Sequence, residues 1–510
     1  MTSEVNKRIA LNTFFMYIRM AFVMGITLYT SRVVLKALGE VDYGIFSVVG
    51  GTVIFFTFLS NSMATALQRH MAYAIGERNQ LKLINYFNQG FWTFAIIGII
   101  CIILCESIGL YILHYYIDIP PLKVNTAFWV YQLAVVNMII GLLRTPYIGL
   151  IIAHEKMNFF AFQGIIEGLM KLGVALAIMY LDNNRLIDYM ILLLITTVVN
   201  NIYTIIYCRK KFPNCRLNLK IDFSIIKSLM AFSGWTVMTS ASNVLSNQGV
   251  AIVLNNIYGV LISAAVGITN QVFAALSTFL GGFQASFNPQ IIKSYASGDY
   301  KTFNLMLYRM SLFSFYLMMI IGTPLIVNMN EILNLWLSSV PKWTSQFSIC
   351  IVLYFIIESY SGPFWMGMQA IGKIKRYQIT ISCLISLNFI LAFILLYSGF
   401  SPVWAYITKI FVSCVVVIAR VLLLNRFVAI PLREYWLNIV LRSSLCFGIS
   451  LLLCCLIKPF FNGFGGMLLN IMISIATSII LILFAGLPSR ERGFIYHWIK
   501  NKYKAIFQTT

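Results

Sequence analysis

Charge is what this 510-residue chain has least of. Only 10% of its residues are Asp, Glu, Lys or Arg, where a soluble domain carries about 25%. With 60% hydrophobic residues and a mean hydropathy of +0.84, a soluble globular chain is excluded. The chain reads as an all-α polytopic membrane protein. Acids are scarcer still, 16 against 37 Lys and Arg. Its four histidines, His70, His114, His154 and His497, form no group with Cys or carboxylates at ligand spacing, so neither a metal centre nor an enzyme site is expected. The ten cysteines give no framework. Cys101, Cys105, Cys350, Cys383, Cys414, Cys446, Cys454 and Cys455 fall in apolar runs, and Cys208 and Cys215 are placed in a loop. All read as small buried hydrophobes. Long polar inserts are missing too: the longest connections are 69–85, 208–227 and the tail from 489, too short for a folded soluble domain. The first apolar run has no small-residue cleavage site and is expected to stay as a transmembrane helix.

What is present is a series of apolar runs of spanning length. A spanning helix needs about 20 residues. The runs lie at 10–36, 43–66, 87–115, 122–150, 158–181, 186–207, 228–258, 261–288, 303–336, 345–371, 377–398, 401–425, 435–457 and 464–486, about fourteen helices. The net charge of +21 would suggest nucleic acid in a soluble protein, but here it follows the positive-inside rule, so anionic membrane lipid is expected and nucleic acid is not. With the N-terminus inside, inner loops hold roughly 26 basic residues, against 5 outside: Lys36, Lys123, Arg185, Lys342 and Lys458. Both termini are therefore expected in the cytoplasm. The stretch 72–87 after the second run is amphipathic and reads as a helix lying on the membrane surface.

Internal matches recur at nearly one spacing. Tyr73-Ala74-Ile75-Gly76-Glu77 matches Tyr295-Ala296-Ser297-Gly298-Asp299, and Gln68 matches Gln290, at an offset of 222. Pro146-Tyr147, Ala153, Lys156 and Phe160 match Pro363-Phe364, Ala370, Lys373 and Tyr377 at 217. Both offsets span six helices, so the chain is expected to form two parallel six-helix lobes plus two C-terminal helices. The division is 1–207 for the first lobe, 208–227 for a cytoplasmic linker, 228–425 for the second lobe and 426–510 for the rest. Parallel two-lobed repeats are a transporter arrangement. Pro146, Pro324 and Pro363 are expected to kink their helices, and Gly50-Gly51 and Gly281-Gly282 to allow close approach or bending. Ordinary membrane-helix composition accounts for them equally well.

Charges inside the hydrocarbon are expensive and mark function. Arg19 lies roughly 13 Å into the first helix, at about 1.5 Å per residue. Lys171 lies near the midplane of the fifth helix, and Lys409 well inside the twelfth. Arg144 and Arg420 are placed near cytoplasmic ends, where snorkelling is expected. Arg32 and Lys36 sit one turn apart at the outer end of the first helix. Against these stand Glu106, Glu167 and Glu358. Glu167 and Lys171 are four residues apart and read as a structural pair, while Glu358 is expected to neutralise a cation on an unidentified neighbouring helix. The interior stays net positive, with Arg19 and Lys409 the clearest unpaired cations. Such a cavity suits an anion, a lipid-linked diphosphate for instance. Trp129, Trp336, Trp343 and Trp436 read as interfacial belts.

The residues Tyr29-Thr-Ser-Arg-Val-Val-Leu-Lys-Ala-Leu-Gly39, Asp42-Tyr-Gly-Ile45 and Gln68-Arg69 resemble the opening of polysaccharide flippases for O-antigen and capsule. The twice-used Pro-aromatic element is similar to that family's internal repeat. The family belongs to the multidrug/oligosaccharidyl-lipid/polysaccharide exporter superfamily, and the resemblance covers essentially the whole chain. It implies a flippase moving an undecaprenyl-diphosphate-linked oligosaccharide across the bacterial inner membrane by alternating access, for O-antigen, lipopolysaccharide or other surface polysaccharide biosynthesis. It implies no cofactor, and polysaccharide polymerase machinery as a partner. Arg19 holds a place similar to cavity arginines of peptidoglycan lipid flippases.

The expected substrate-binding residues are Arg19, Arg32, Lys171 and Lys409; the expected coupling carboxylates for H+ or Na+ are Glu106 and Glu358. The alternative is a cation-coupled multidrug exporter of the same fold, against which the basic interior counts. A polymerase or glycosyltransferase would be expected to carry a sizeable outer loop with acids or His, and Asp118 and Asp182 stand alone. A passive scaffold has no need of costly buried charge.

Overall fold

The computed structural model describes residues 2–154, 156–181, 184–213, 215, 217–218, 221–285, 287, 291–292, 294–295, 297–372, 374–460 and 463–487, with side chains from Phe22 onward except at 59, 61, 62, 65, 76, 228–233, 235, 236 and 285. Among these there is no strand. The first helical stretch, Thr2–Phe55, breaks at Gly39 into α1 (2–38) and the start of α2 (40–55), and α2 resumes as Phe58–Gly76. Then follow α3 (Gln80–Tyr115), α4 (Pro121–Ala153), α5 (Met157–Tyr180) and α6 (Arg185–Lys211). Next, α7 runs Phe223–Val244, Leu245–Gly249 and Val250–Tyr258, with a π-helical turn in the middle, and leads to α8 (Val260–Ala285). α9 is Tyr300–Val327 and Met329–Trp336. α10 is a broken span, Thr344–Glu358 and Gly362–Ile371, bent by 43°. α11 (Ile374–Tyr397), α12 (Trp404–Asn425), α13 (Leu432–Phe460) and α14 (Gly463–Gly486) complete the chain. Eleven helices among the described residues are long and apolar enough to cross a membrane, or twelve with the bent pair as one span. The difference from fourteen lies at α1–α2, where Phe22–Phe55 counts as a single span despite the break at Gly39, and at α7, which is not among the apolar spans. This is an all-helical, multi-pass membrane protein.

Local chemistry explains where the helices stop. Gly39 (φ 75°, ψ 173°) and Gly259 (φ 81°, ψ −178°) hold a backbone conformation open essentially to glycine alone. They separate α1 from α2 and α7 from α8. Arg78 (φ 54°) and Gly298 (φ 74°) turn the chain left-handed after α2 and before α9. In each turn the next residue caps the new helix: Asn79 accepts from the Lys82 amide and Asp299 from the Thr302 amide. All three pairs are 220 residues apart, two short of the sequence match at Tyr73 and Tyr295. The Asn79 cap corrects one expectation. Residues 80–87 are the first turns of α3, not a helix lying on the surface. The linker before α7 is pinned to α3. Asn88 and Gln89 accept from the backbone amides of Asn218 and Asp222, and Trp92 donates to the Asn218 carbonyl.

The chain packs into two compact units. One comprises Met1–Ala275, Asn334–Phe347 and Lys375–Val412, the other Leu276–Leu333, Ser348–Ile374 and Ser413–Thr510. In the first, α1 packs along α5, α4 along α6, and α2 against α3 and α4. Ile45, Val49, Met71, Phe87, Phe94, Tyr131 and Leu150 are buried in the core where α2, α3 and α4 meet. Lipid tails are as apolar as leucine, so close packing and interhelical hydrogen bonds drive such contacts. Two glycines let α2 and α8 nearly touch. A Cβ on Gly44 would lie 2.4 Å from the Val260 carbonyl oxygen, and one on Gly267 would lie 2.7 Å from Ser47 Oγ. Gly51 also meets the expectation of close approach, at Gln248, whereas Gly50 and Gly281 have open space.

In the second unit, polar side chains tie neighbouring helices. Asn328 donates to Asn470 at 3.1 Å, Ser450 and Ser478 lie 3.0 Å apart, and Ser311 meets the Tyr435 hydroxyl at 2.9 Å. Pro324 and, in the first unit, Pro146 sit inside their helices, while Pro363 opens the second half of broken α10. The cysteines depart from expectation in two ways. Cys208 lies in α6, not a loop, and Cys383, Cys414 and Cys455 are exposed on their helices. An apolar run alone does not tell which face of a membrane helix meets lipid.

Candidate functional site

The side chain of Arg19, the residue on which the sequence argument leans most, lies outside the described residues. Its backbone is helical, within α1.

Lys171 and Glu167 pair as expected, at 2.8 Å across one turn of α5. Arg144 joins them. Its Nη1 lies 3.0 Å from the other Glu167 oxygen, so it does not snorkel to the surface. One carboxylate thus serves two cations, and the cluster keeps one net positive charge. Lys171 is 46% exposed, against 17% for Arg144 and 25% for Glu167, so the ammonium is the most accessible group of the three. Arg420 corrects the snorkelling expectation in the same way. It is the cation that Glu358 neutralises, at 3.0 Å, with side-chain exposures of 13% and 21%. The pair sits at the break in α10. Ser361 donates to Glu358 at 2.8 Å, Ser413 at 3.2 Å, and Arg420 also donates to Ser361. Within the break, Ser359 offers its carbonyl to Gln284. A broken membrane helix exposes backbone groups that side chains must satisfy, and this network does so.

Lys409 is not the unpaired cation that the sequence suggests. It is nine-tenths buried, donates to Asn247 Oδ1 and lies 4.5 Å above the Phe273 ring. It therefore bridges α12, α7 and α8. Asn247 is in the π-helical turn Leu245–Gly249. Such turns recur at functional positions. Nearby, α8 changes character along its length. Ile262 to Thr269 is buried on every side, and from Asn270 onward one face is exposed. On α7, Asn243 is likewise exposed.

Arg32 is exposed and donates to the Leu335 carbonyl at 3.2 Å. Trp336 returns a hydrogen bond from its indole to the Leu28 carbonyl at 2.7 Å. The end of α1 is thus clasped to the end of α9, and Trp336 has a specific partner beyond an interfacial belt. Arg185 donates to the Ala37 carbonyl just before the Gly39 break, and Lys123 pairs with Asp42 at 2.9 Å. Glu106 is exposed on a π-helical turn of α3 and accepts from Gln132 at 3.2 Å. No group of three His, Cys, Asp or Glu able to hold a metal ion occurs among the described residues.

The structure thus brings together Lys171 with Glu167 and Arg144, and Glu358 with Arg420. Arg32 instead meets the Leu335 carbonyl, and Lys409 meets Asn247. Sequence reasoning missed Asn243, Asn247 and Asn270. Their signal was amides near the middle of stretches of spanning length, which hydrocarbon cannot satisfy.

A scan of the sequence against protein-family models finds no match, and a search among curated proteins finds none. Solved structures do match. The lipid II flippase MurJ in an inward closed conformation is similar with a TM-score of 0.71 at 16% identity, over 92% of this chain and 98% of that one. A multidrug resistance MATE family transporter of the MOP superfamily, in an inward-facing conformation, has a TM-score of 0.63 at 12% identity over 81% and 94%. A MOP superfamily transporter from Pyrococcus furiosus, whose reverse pocket polarity is held to suggest a different function, has a TM-score of 0.60 at 13% identity over 82% and 95%. At these identities the likeness establishes the fold: this chain is built as MurJ and the MATE transporters are.

Proposed function

We propose that the protein is a transporter that flips a polyprenyl-diphosphate-linked oligosaccharide across the bacterial inner membrane by alternating access, for surface polysaccharide biosynthesis. The observation that carries this reading is how the described carboxylates are spent. Glu167 is held by two cations and Glu358 by one, which leaves a half-exposed ammonium, Lys171, deep in an apolar helix. A diphosphate is too costly to cross hydrocarbon bare, and such a cation offsets part of that cost. The fold shared with a lipid-linked flippase and with transporters caught facing in and out supports the same reading. Arg19 and Lys171 receive the diphosphate, Arg32 meets it toward the outer end, and Lys409 acts from its buried place beside Asn247. The polyprenyl tail stays in lipid. The two lobes, 1–207 and 228–425, rock about the site, with both termini cytoplasmic. H+ or Na+ coupling falls to Glu106, since Glu358 is held by Arg420. No reaction is catalysed.

The second reading, a multidrug exporter, rests on the MATE likeness. It needs carboxylates available to cationic drugs, and Glu167 and Glu358 are already held. Deleting the gene in its host separates the two. Loss of surface polysaccharide, with lipid-linked oligosaccharide accumulating on the inner leaflet, is expected. Normal polysaccharide with new drug sensitivity would favour the exporter.

A further inference from the structure

We infer that the amide face of α7 and α8, at Asn243, Asn247 and Asn270, recognises the saccharide part of the substrate through its hydroxyl groups, separately from the cations that meet phosphate. This rests on the flippase reading and deepens it.

α7 spans Phe223–Tyr258 and α8 spans Val260–Ala285, so Asn243 and Asn270 lie near mid-length of their helices. Both are exposed. An amide left bare to hydrocarbon is costly, so this face borders a polar space rather than lipid. Lys409 shows that the two faces adjoin, because its ammonium touches Asn247 on α7 and Phe273 on α8. Asn243 is one turn from Asn247, and Asn270 one turn from Phe273.

Hydrogen-bond direction then selects the ligand. Asn243 Nδ2 donates to the Thr239 carbonyl at 2.9 Å, and Asn247 Nδ2 to the Asn243 carbonyl at 2.8 Å. One hydrogen of each amide is thereby engaged along its own helix, and each amide keeps its oxygen and its second hydrogen for other partners. Lys409 takes the Asn247 oxygen, which leaves the Asn243 oxygen as an acceptor. An acceptor repels phosphate or carboxylate oxygens and welcomes O–H donors. A sugar ring is the part of such a substrate richest in those donors. Asn270 has both donor and acceptor to offer and suits the same partner. The π-helical turn at Leu245–Gly249 places Asn247 where Lys409 holds it, so Lys409 is a positioning residue for this face.

The test uses the purified full-length protein and two probes, lipid-linked oligosaccharide extracted from the host's membranes and undecaprenyl diphosphate without sugar. Binding is read by native mass spectrometry. The double variant Asn243→Leu/Asn270→Leu is expected to bind the oligosaccharide lipid about tenfold more weakly, the scale of one or two hydrogen bonds. Its binding of the sugar-free lipid stays at the wild-type level. Asn243→Ser, which keeps an acceptor, retains most of the affinity and covers the case in which the leucine variant does not fold. Equal loss for both lipids, or loss for neither, overturns the inference while leaving the flippase reading in place. A wild-type protein that binds neither lipid overturns both.

Discussion

At the scale of single residues, the costliest features are Gly39 and Gly259, with φ near +80° and ψ near 180°, and the ion pair at the break in α10. Gly259→Ala should destabilise the protein by about 1–3 kcal/mol, the cost of a side chain in that conformation, and its added Cβ would also sit 3.2 Å from Asp118. The loss reads out as a lower melting temperature in detergent, and wild-type stability would contradict the account. Arg420→Ala should cost about 3 kcal/mol or more, because it strands Glu358 with little exposure. Lys458→Ala, which removes a more exposed pair with Glu331, should cost about 1 kcal/mol or less. Equal melting shifts for the two would refute this ranking. Cys215, buried outside the membrane spans, has its thiol pushed up to about 11 by that burial. It stays protonated at neutral pH and should resist a maleimide that rapidly labels an exposed Lys211→Cys. Fast labelling of Cys215 would show the linker to be open.

At the scale of elements, close helix contact depends on where a glycine faces another backbone. Gly44→Ala drives a Cβ onto the Val260 oxygen, a backbone atom that yields only if α2 and α8 separate, and should cost about 1–3 kcal/mol. Gly50→Ala meets open space and should be neutral or stabilise by up to about 1 kcal/mol, because alanine favours a helix. A lowered melting temperature for Gly44→Ala beside an unchanged or raised one for Gly50→Ala is the expected result. The sequence separates these elements well because apolar run length is a direct physical requirement of the bilayer. It also carried the internal match, which has a counterpart in two pairs of turns, three residue pairs in all, 220 residues apart. It did not show which partner a buried charge takes when that partner is distant in the chain. Glu167 with Lys171 was legible at i, i+4. Arg144, 23 residues from Glu167, and Arg420, 62 residues from Glu358, were not. The amphipathic look of 72–87 misled because Asn79 caps a helix that rises at once. Lys409 looked unpaired because an amide, Asn247, and a phenyl ring, Phe273, carry no charge to count from the sequence.

At the scale of the molecule, the fold is that of MurJ and the MATE transporters, and the account turns on what the intramembrane cations meet. The most direct measurement is flipping itself. The purified protein is placed in vesicles carrying labelled polyprenyl-diphosphate oligosaccharide in both leaflets, and a membrane-impermeant reagent destroys whatever sugar it can reach. Protein-free vesicles should lose only the outer-leaflet share, and vesicles with the native protein should lose the whole pool. Lys171→Ala should slow that loss about tenfold, the scale of one charge-assisted contact to phosphate. An inner-leaflet pool that stays protected beside the native protein, in vesicles where the same protein moves a cationic dye, would contradict the flippase and leave the multidrug exporter.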